Sequence, residues 1–222
     1  DRAAHETLVA YSGVRDGQSI LAVDLDEIAQ SLERHPWVAT ASVARVFPDR
    51  IRVVIREHVP SALVSLEGLY LVNESGVVFK RWSAGDESDL PLITGLSRDV
   101  ATQEPTAFAE LAQTGIELSR DLTEWNETLG PIEEIHYDEA LGWSAMVRPP
   151  MSTPDVVHLA LGLDPHRRIA LAAQSLVELD RRALSPAASW ADGDKRPQRV
   201  HIRLWGESQS LVTAQRESEV PQ

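Results

Sequence analysis

Cysteine is absent from the 222 residues, which excludes disulfide bridges, thiolate nucleophiles and cysteine-ligated metal, and which suits an oxidising or a reducing compartment equally. No run of 18 apolar residues occurs, so no stretch of this sequence reads as a membrane-spanning helix. Positive charge is also scarce. Against 34 Asp and Glu stand 21 Lys and Arg, a formal charge of −13, and partners bound by clustered cations, nucleic acid and anionic lipid, are disfavoured. Residues 83–222 hold 23 of the acidic and 12 of the basic side chains, so the second half carries most of the excess.

Catalytic motifs are missing as well. There is no HExxH, GxSxG, Walker loop or GxGxxG. The seven histidines, at 5, 35, 58, 136, 158, 166 and 201, never stand at ligand spacing on a helix, so surface or capped roles are expected and no metal or cofactor. Asp24-x-Asp26-Glu27 lacks the glycine and twelfth-position glutamate of a calcium loop. Glu133-Glu134 and Asp138-Glu139 flank a strand in the acidic half and read as solvated charge rather than an acid/base pair. A reading as an enzyme rests on nothing but these Glu and His residues.

With 43% hydrophobic residues the chain is long enough for one large or two modest domains. It begins at Asp1 without methionine, the expectation for a trimmed piece whose signal or anchor lies upstream. The best-marked stretch runs from His35 to Val64. Ile51, Val53 and Ile55 alternate with Arg50, Arg52 and Arg56, the period of a strand with one buried face, and Thr40–Val46 joins it through the turn Phe47-Pro48-Asp49. Asp24 is an N-cap with Glu27 three residues on, Val23 and Ile28 form a hydrophobic staple, and Pro36 stops that helix near His35. Leu8–Tyr11 reads as a short strand.

Further on, Ala62–Ser65, Leu69–Val72, Val77–Phe79 and Leu90–Thr94 read as strands, and Pro105 opens a helix with Phe108, Leu111, Gly115, Leu118 and Leu122 on one face. Strands are expected at 132–137, 143–147 and 156–161. A helix then starts at Asp164-Pro165, with Ile169, Ala172, Leu176, Leu179 and Ala183 as its stripe. Residues 199–205 and 208–213 are strands separated by a turn or bulge at Gly206-Glu207.

The stretch GVRDGQSILAVDLDEIAQSLERHPWVATASVARVFPDRIRVVIREHVPSAL resembles a POTRA domain, and LYLVNESGVVF followed by LPLITG resembles the FtsQ/DivIB family of bacterial division proteins. Pro36-Trp37-Val38, the Phe47-Pro48 corner and the Glu57–Pro60 exit carry the first part. Trp143, Leu161-Gly162 and VHIRL at 200–204 carry the second, so the likeness covers roughly residues 9–213. It implies an α+β fold, an N-terminal POTRA domain of β-α-β-β character followed by a β domain with a mixed or antiparallel sheet and flanking helices. The expected division is 1–8 lead-in, 9–82 POTRA, 83–214 β domain and 215–222 disordered tail.

The resemblance also implies a function. The chain would be the periplasmic part of a single-pass inner-membrane protein enriched at the division site. It would be a divisome scaffold in septation, with no enzymatic activity and no cofactor, binding FtsB/DivIC-type and FtsL-type partners by strand addition at its last β-strand. The matching segment is Val200, His201, Ile202, Arg203, Leu204, Trp205, Gly206, Glu207 and Ser208, with Arg203 where the family has an arginine able to face a partner carboxylate. The family pattern VDLRY reads here with His201 and Leu204 in place of Asp and Tyr, which puts side-chain detail, though not main-chain pairing, in question. Trp205 either anchors the interface or packs on the sheet. Arg50, Arg52 and Arg56 form a basic stripe, either a solvent face or a second partner face of the POTRA domain. The alternative function is a POTRA module of an outer-membrane assembly or secretion system that handles extended polypeptides.

Overall fold

Hydrogen bonding sorts the strands into two sheets in the computed structural model, which describes residues 5–15, 17–148, 156–183, 199–205 and 209–215. The first sheet is the hairpin expected from the alternating arginines, β1 (Val38–Val46) and β2 (Arg50–Glu57), with Val43 opposite Val53 and Arg45 opposite Ile51. Helix α2 (Leu25–Glu33) covers one face of it. Asp24 Oδ1 accepts from the N–H groups of Asp26 and Glu27 at 2.9 and 3.1 Å, and the staple residues Val23 and Ile28 are buried with Leu32 against Ala41, Val43 and Ile51.

Residues expected as a first strand, Leu8–Tyr11, instead belong to helix α1 (His5–Ser12). Leu8 and Tyr11 stand three apart, so a helix turns both onto the α2 cluster, and Ser31 Oγ donates to the Tyr11 carbonyl at 2.7 Å. The unit is therefore α-α-β-β rather than β-α-β-β.

The second sheet has nine strands in the order β11-β10-β9-β8-β7-β6-β3-β4-β5. Its members are β3 (Pro60–Ser65), β4 (Leu69–Asn73), β5 (Val78–Arg81), β6 (Leu92–Thr94), β7 (Ile132–Asp138), β8 (Gly142–Val147), β9 (Val156–Gly162), β10 (Arg199–Trp205) and β11 (Gln209–Gln215). Residues 60–81 thus belong to this sheet, with β3 lying parallel to β6, Leu63 beside Leu92. The chain passes from the first sheet to the second between Glu57 and Pro60. The expected tail, 215–222, lies outside the described residues apart from Gln215 in β11.

Helices α3 (Arg98–Gln103), α4 (Pro105–Glu124) and α5 (Asn126–Leu129) connect β6 to the parallel β7, and α6 (Pro165–Ala183) connects β9 to the parallel β10. Such crossovers pack helices on one face of a sheet. Here Phe108, Ile116, Leu118 and Leu122 of α4 and Ile169, Ala172 and Leu176 of α6 bury against Ile135, Ala145, Val157, Leu159 and Leu161. The side chains of Leu179 and Ala183, expected on the same stripe, lie outside the described ones.

On the opposite face the described residues form a second buried cluster over β3–β5. Trp37, at the foot of β1, packs there on Leu63 and Leu71 with Phe79 beside it, so the two units share a core. His58 closes the joint. Its N–H donates to the Trp37 carbonyl at 2.8 Å, its ring stacks on Phe79 with centroids 4.5 Å apart, and Asn73 Nδ2 stands 3.0 Å from its Nδ1. Burial holds the imidazole below its ordinary pKa. The folded state therefore favours neutral His58, so its contribution to stability is complete above about pH 6.5 and is lost as pH falls through the depressed folded value. Urea midpoints of the unchanged protein should fall between pH 7 and 5 more steeply than those of His58→Gln; parallel curves would contradict the assignment.

Candidate partner-binding surfaces

A nine-stranded open sheet has two edges, and they differ here in length and charge. Strand β5 has four residues and carries Lys80 and Arg81, with Lys80 tied to Asp86 and to Ser83. Burial raises the Asp86 carboxyl, but bonds from Lys80, the Ser83 hydroxyl and the Ser83 N–H outweigh it and hold that group below the usual carboxylate range. Strand β11 has seven residues, QSLVTAQ, none of them charged. Short, charged edges resist pairing with another chain, whereas a longer uncharged edge invites it.

The segment expected to be the recruiting edge is not at the edge. Val200, His201, Ile202 and Arg203 lie in β10, in register with Val157, His158, Leu159 and Ala160 of β9 on one side. On the other side the same strand pairs antiparallel with β11, and Leu204 and Trp205 stand opposite Ser210 and Gln209. Gly206, Glu207 and Ser208 lie outside the described residues. Since β10 and β11 run antiparallel, the chain reverses between Trp205 and Gln209, and the row of free N–H and C=O groups passes to β11. The sequence signal for this was a glycine directly after a β-rich run, followed by a second uncharged run of strand length.

The three arginines of β2 stand together on the face turned away from α2. Arg50, Arg52 and Arg56 are exposed, opposite Val46, Ala44 and Thr40 of β1. Arg50 makes one loose, exposed pair with Asp49 at 3.8 Å, worth little in water, and no ion pair of Arg52 or Arg56 occurs among the described residues. No group of three or more His, Asp or Glu placed to hold a metal occurs among the described residues.

Comparison with known proteins adds a family. The model of the POTRA domain, FtsQ-type, matches residues 1–58, and that of the cell division protein FtsQ/DivIB C-terminal region matches residues 62–203. Cell division protein FtsQ of Anaeromyxobacter sp. (strain K) is 33% identical over 210 residues, 92% of this chain and 68% of that one. Its counterpart in Geobacter sp. (strain M21) is 33% identical over 144 residues, 64% of this chain and 53% of that one. That of Myxococcus fulvus is 36% identical over 115 residues, 52% of this chain and 40% of that one.

Proposed function

Because the chain belongs to the FtsQ/DivIB family of bacterial cell-division proteins, we propose that it is a non-enzymatic divisome scaffold that recruits FtsB/DivIC-type and FtsL-type membrane partners by pairing one of their extended segments with β11. The observation that supports this most is the uncharged seven-residue edge at one end of the sheet, opposite a short charged one. Main-chain bonds along such an edge supply affinity, and alternate side chains of the added strand supply specificity. The two matches together, POTRA followed at once by the FtsQ/DivIB C-terminal region, favour the division role over an outer-membrane assembly module.

On this reading the chain is the periplasmic part of a single-pass inner-membrane protein enriched at the division site. Among the described residues no helix is long and apolar enough to cross a membrane. The exposed Arg50, Arg52 and Arg56 form a second face, suited to an acidic divisome partner of the POTRA unit.

Hydrogen exchange tests the edge directly. Adding the extracytoplasmic segment of an FtsB/DivIC-type protein is expected to slow exchange of alternate amides in 209–215 while leaving 78–81 unchanged. Protection confined to any other segment would refute strand addition at β11.

A further inference from the structure

Nearly every arginine between residues 83 and 183 whose side chain is described has a carboxylate partner. Arg98 meets Glu67, Arg120 meets Glu74, Arg148 meets Glu133, Arg167 meets Asp164 and Arg181 meets Glu178. Arg168 is the exception. It is half-buried on α6, and no ion pair or side-chain hydrogen bond to it occurs among the described residues. A half-buried cation has lost part of its hydration, and without a counter-charge nothing replaces it.

The surroundings of Arg168 are shaped to receive one. A Cβ on Gly162 would lie 2.7 Å from its Nη1, so the glycine leaves room for the guanidinium. Arg168 lines a groove of about 350 Å³ together with His136, Asp138, Ser144 and His158. The single carboxylate lining it, Asp138, accepts through Oδ1 from the N–H groups of Ala140 and Leu141, both at 2.8 Å, and makes no ion pair with Arg168. The Thr94 hydroxyl donates to Glu134, so its oxygen accepts from His136 Nδ1 at 2.7 Å, which leaves Nε2 as the ring's remaining polar atom. At the lip, Leu141 is 69% exposed, and Leu163, 77% exposed, directly follows Gly162, whose backbone lies against Gly142.

We propose that this groove takes a carboxylate side chain of the segment that pairs with β11, with neighbouring apolar residues of that segment resting on Leu141 and Leu163. The inference rests on the reading of β11 given above. Because β10 is parallel to β9 and β11 antiparallel to β10, the start of β11 at Gln209 and the end of β9 at Gly162 lie at the same end of the sheet. A strand added outside β11 lies three strand spacings from β9, roughly 14 Å, a distance that about four or five extended residues span. The guanidinium fork matches a carboxylate with two parallel N–H···O bonds, and in a half of the chain with 23 acidic and 12 basic residues a cation that meets no carboxylate among the described residues is a selective feature.

The test is calorimetric titration of the whole chain with the extracytoplasmic segment of its organism's FtsB/DivIC-type protein, with circular dichroism on each variant. Arg168→Glu is expected to weaken binding roughly tenfold or more and to reduce its salt dependence. Replacing the responsible Asp or Glu of the segment by Lys should weaken binding to the unchanged chain and restore it to Arg168→Glu. Should Arg168→Glu misfold, Arg168→Gln carries the comparison with the same expected direction. If Arg168→Glu binds within twofold of the unchanged chain while a chain ending at Ser208 does not bind, the groove is not the carboxylate site and the β11 reading survives. If the chain ending at Ser208 binds undiminished, the β11 reading fails, and this inference with it.

Discussion

A chain ending at Ser208 is expected to stay folded and to lose at least roughly a hundredfold in affinity for the FtsB/DivIC-type segment, because three or four outward main-chain bonds at about 1 kcal/mol each disappear together. Folding should survive because β10 keeps its register with β9 and the described core of the helical face is built on β3, β4 and β6–β9. The truncation does expose β10 as a new edge. That edge carries Arg199 and Arg203, however, whereas β11 carries no charge, and a charged edge is a poor substitute. Titration calorimetry alongside circular dichroism decides the matter, and undiminished binding by a folded truncated chain would remove β11 from consideration.

Gly95→Ala should cost about 3 kcal/mol or more in urea unfolding. Gly95 has φ +81°, in the left-handed region, and a Cβ there would lie 1.9 Å from the Tyr137 carbonyl oxygen and 2.9 Å from His136 Cε1. The left-handed conformation costs a non-glycine residue roughly 1–2 kcal/mol, and overpacking against a fixed neighbour adds about 1–3. Relief would require moving β7, which pairs with β6 through Ile93–Ile135 and Thr94–His136 at that point. Gly85→Ala is the control, since nothing stands within 4 Å of its Cβ position, and it should change stability by less than about 0.5 kcal/mol. Equal effects at the two positions would contradict the packing described at β6–β7.

Local elements were legible wherever periodicity ran long enough. Val157, Leu159 and Leu161 alternate and are buried, and α4 begins at Pro105 with Phe108, Gly115, Leu118 and Leu122 inside, as their spacing required. The family resemblance and the α+β class were legible from the first half as well. Leu8–Tyr11 misled because four apolar residues fit a strand or one helical turn equally, and only the contact with α2 chooses. The sheet to which β3–β5 belong was hidden for another reason. It is set by pairing of Leu63 with Leu92, 29 positions away, and periodicity carries no information over that distance.

The recruiting edge illustrates the same limit. VHIRL identifies a strand, but nothing within it says how many neighbours the strand has; that follows from whether the chain reverses after Trp205. Arg168 was invisible as well, because what sets it apart from the other described arginines of 83–183 is that they meet carboxylates and it meets none among the described residues.

Strand order also sets a length. The POTRA unit is fastened by Trp37 and His58 over β3–β5, whereas β11 closes the opposite end of the same sheet. Across the nine strands, eight spacings of roughly 4.8 Å amount to about 40 Å. With the joint packed, the molecule is a ruler: the seat of the POTRA unit and the β11 edge are held about 4 nm apart along the sheet.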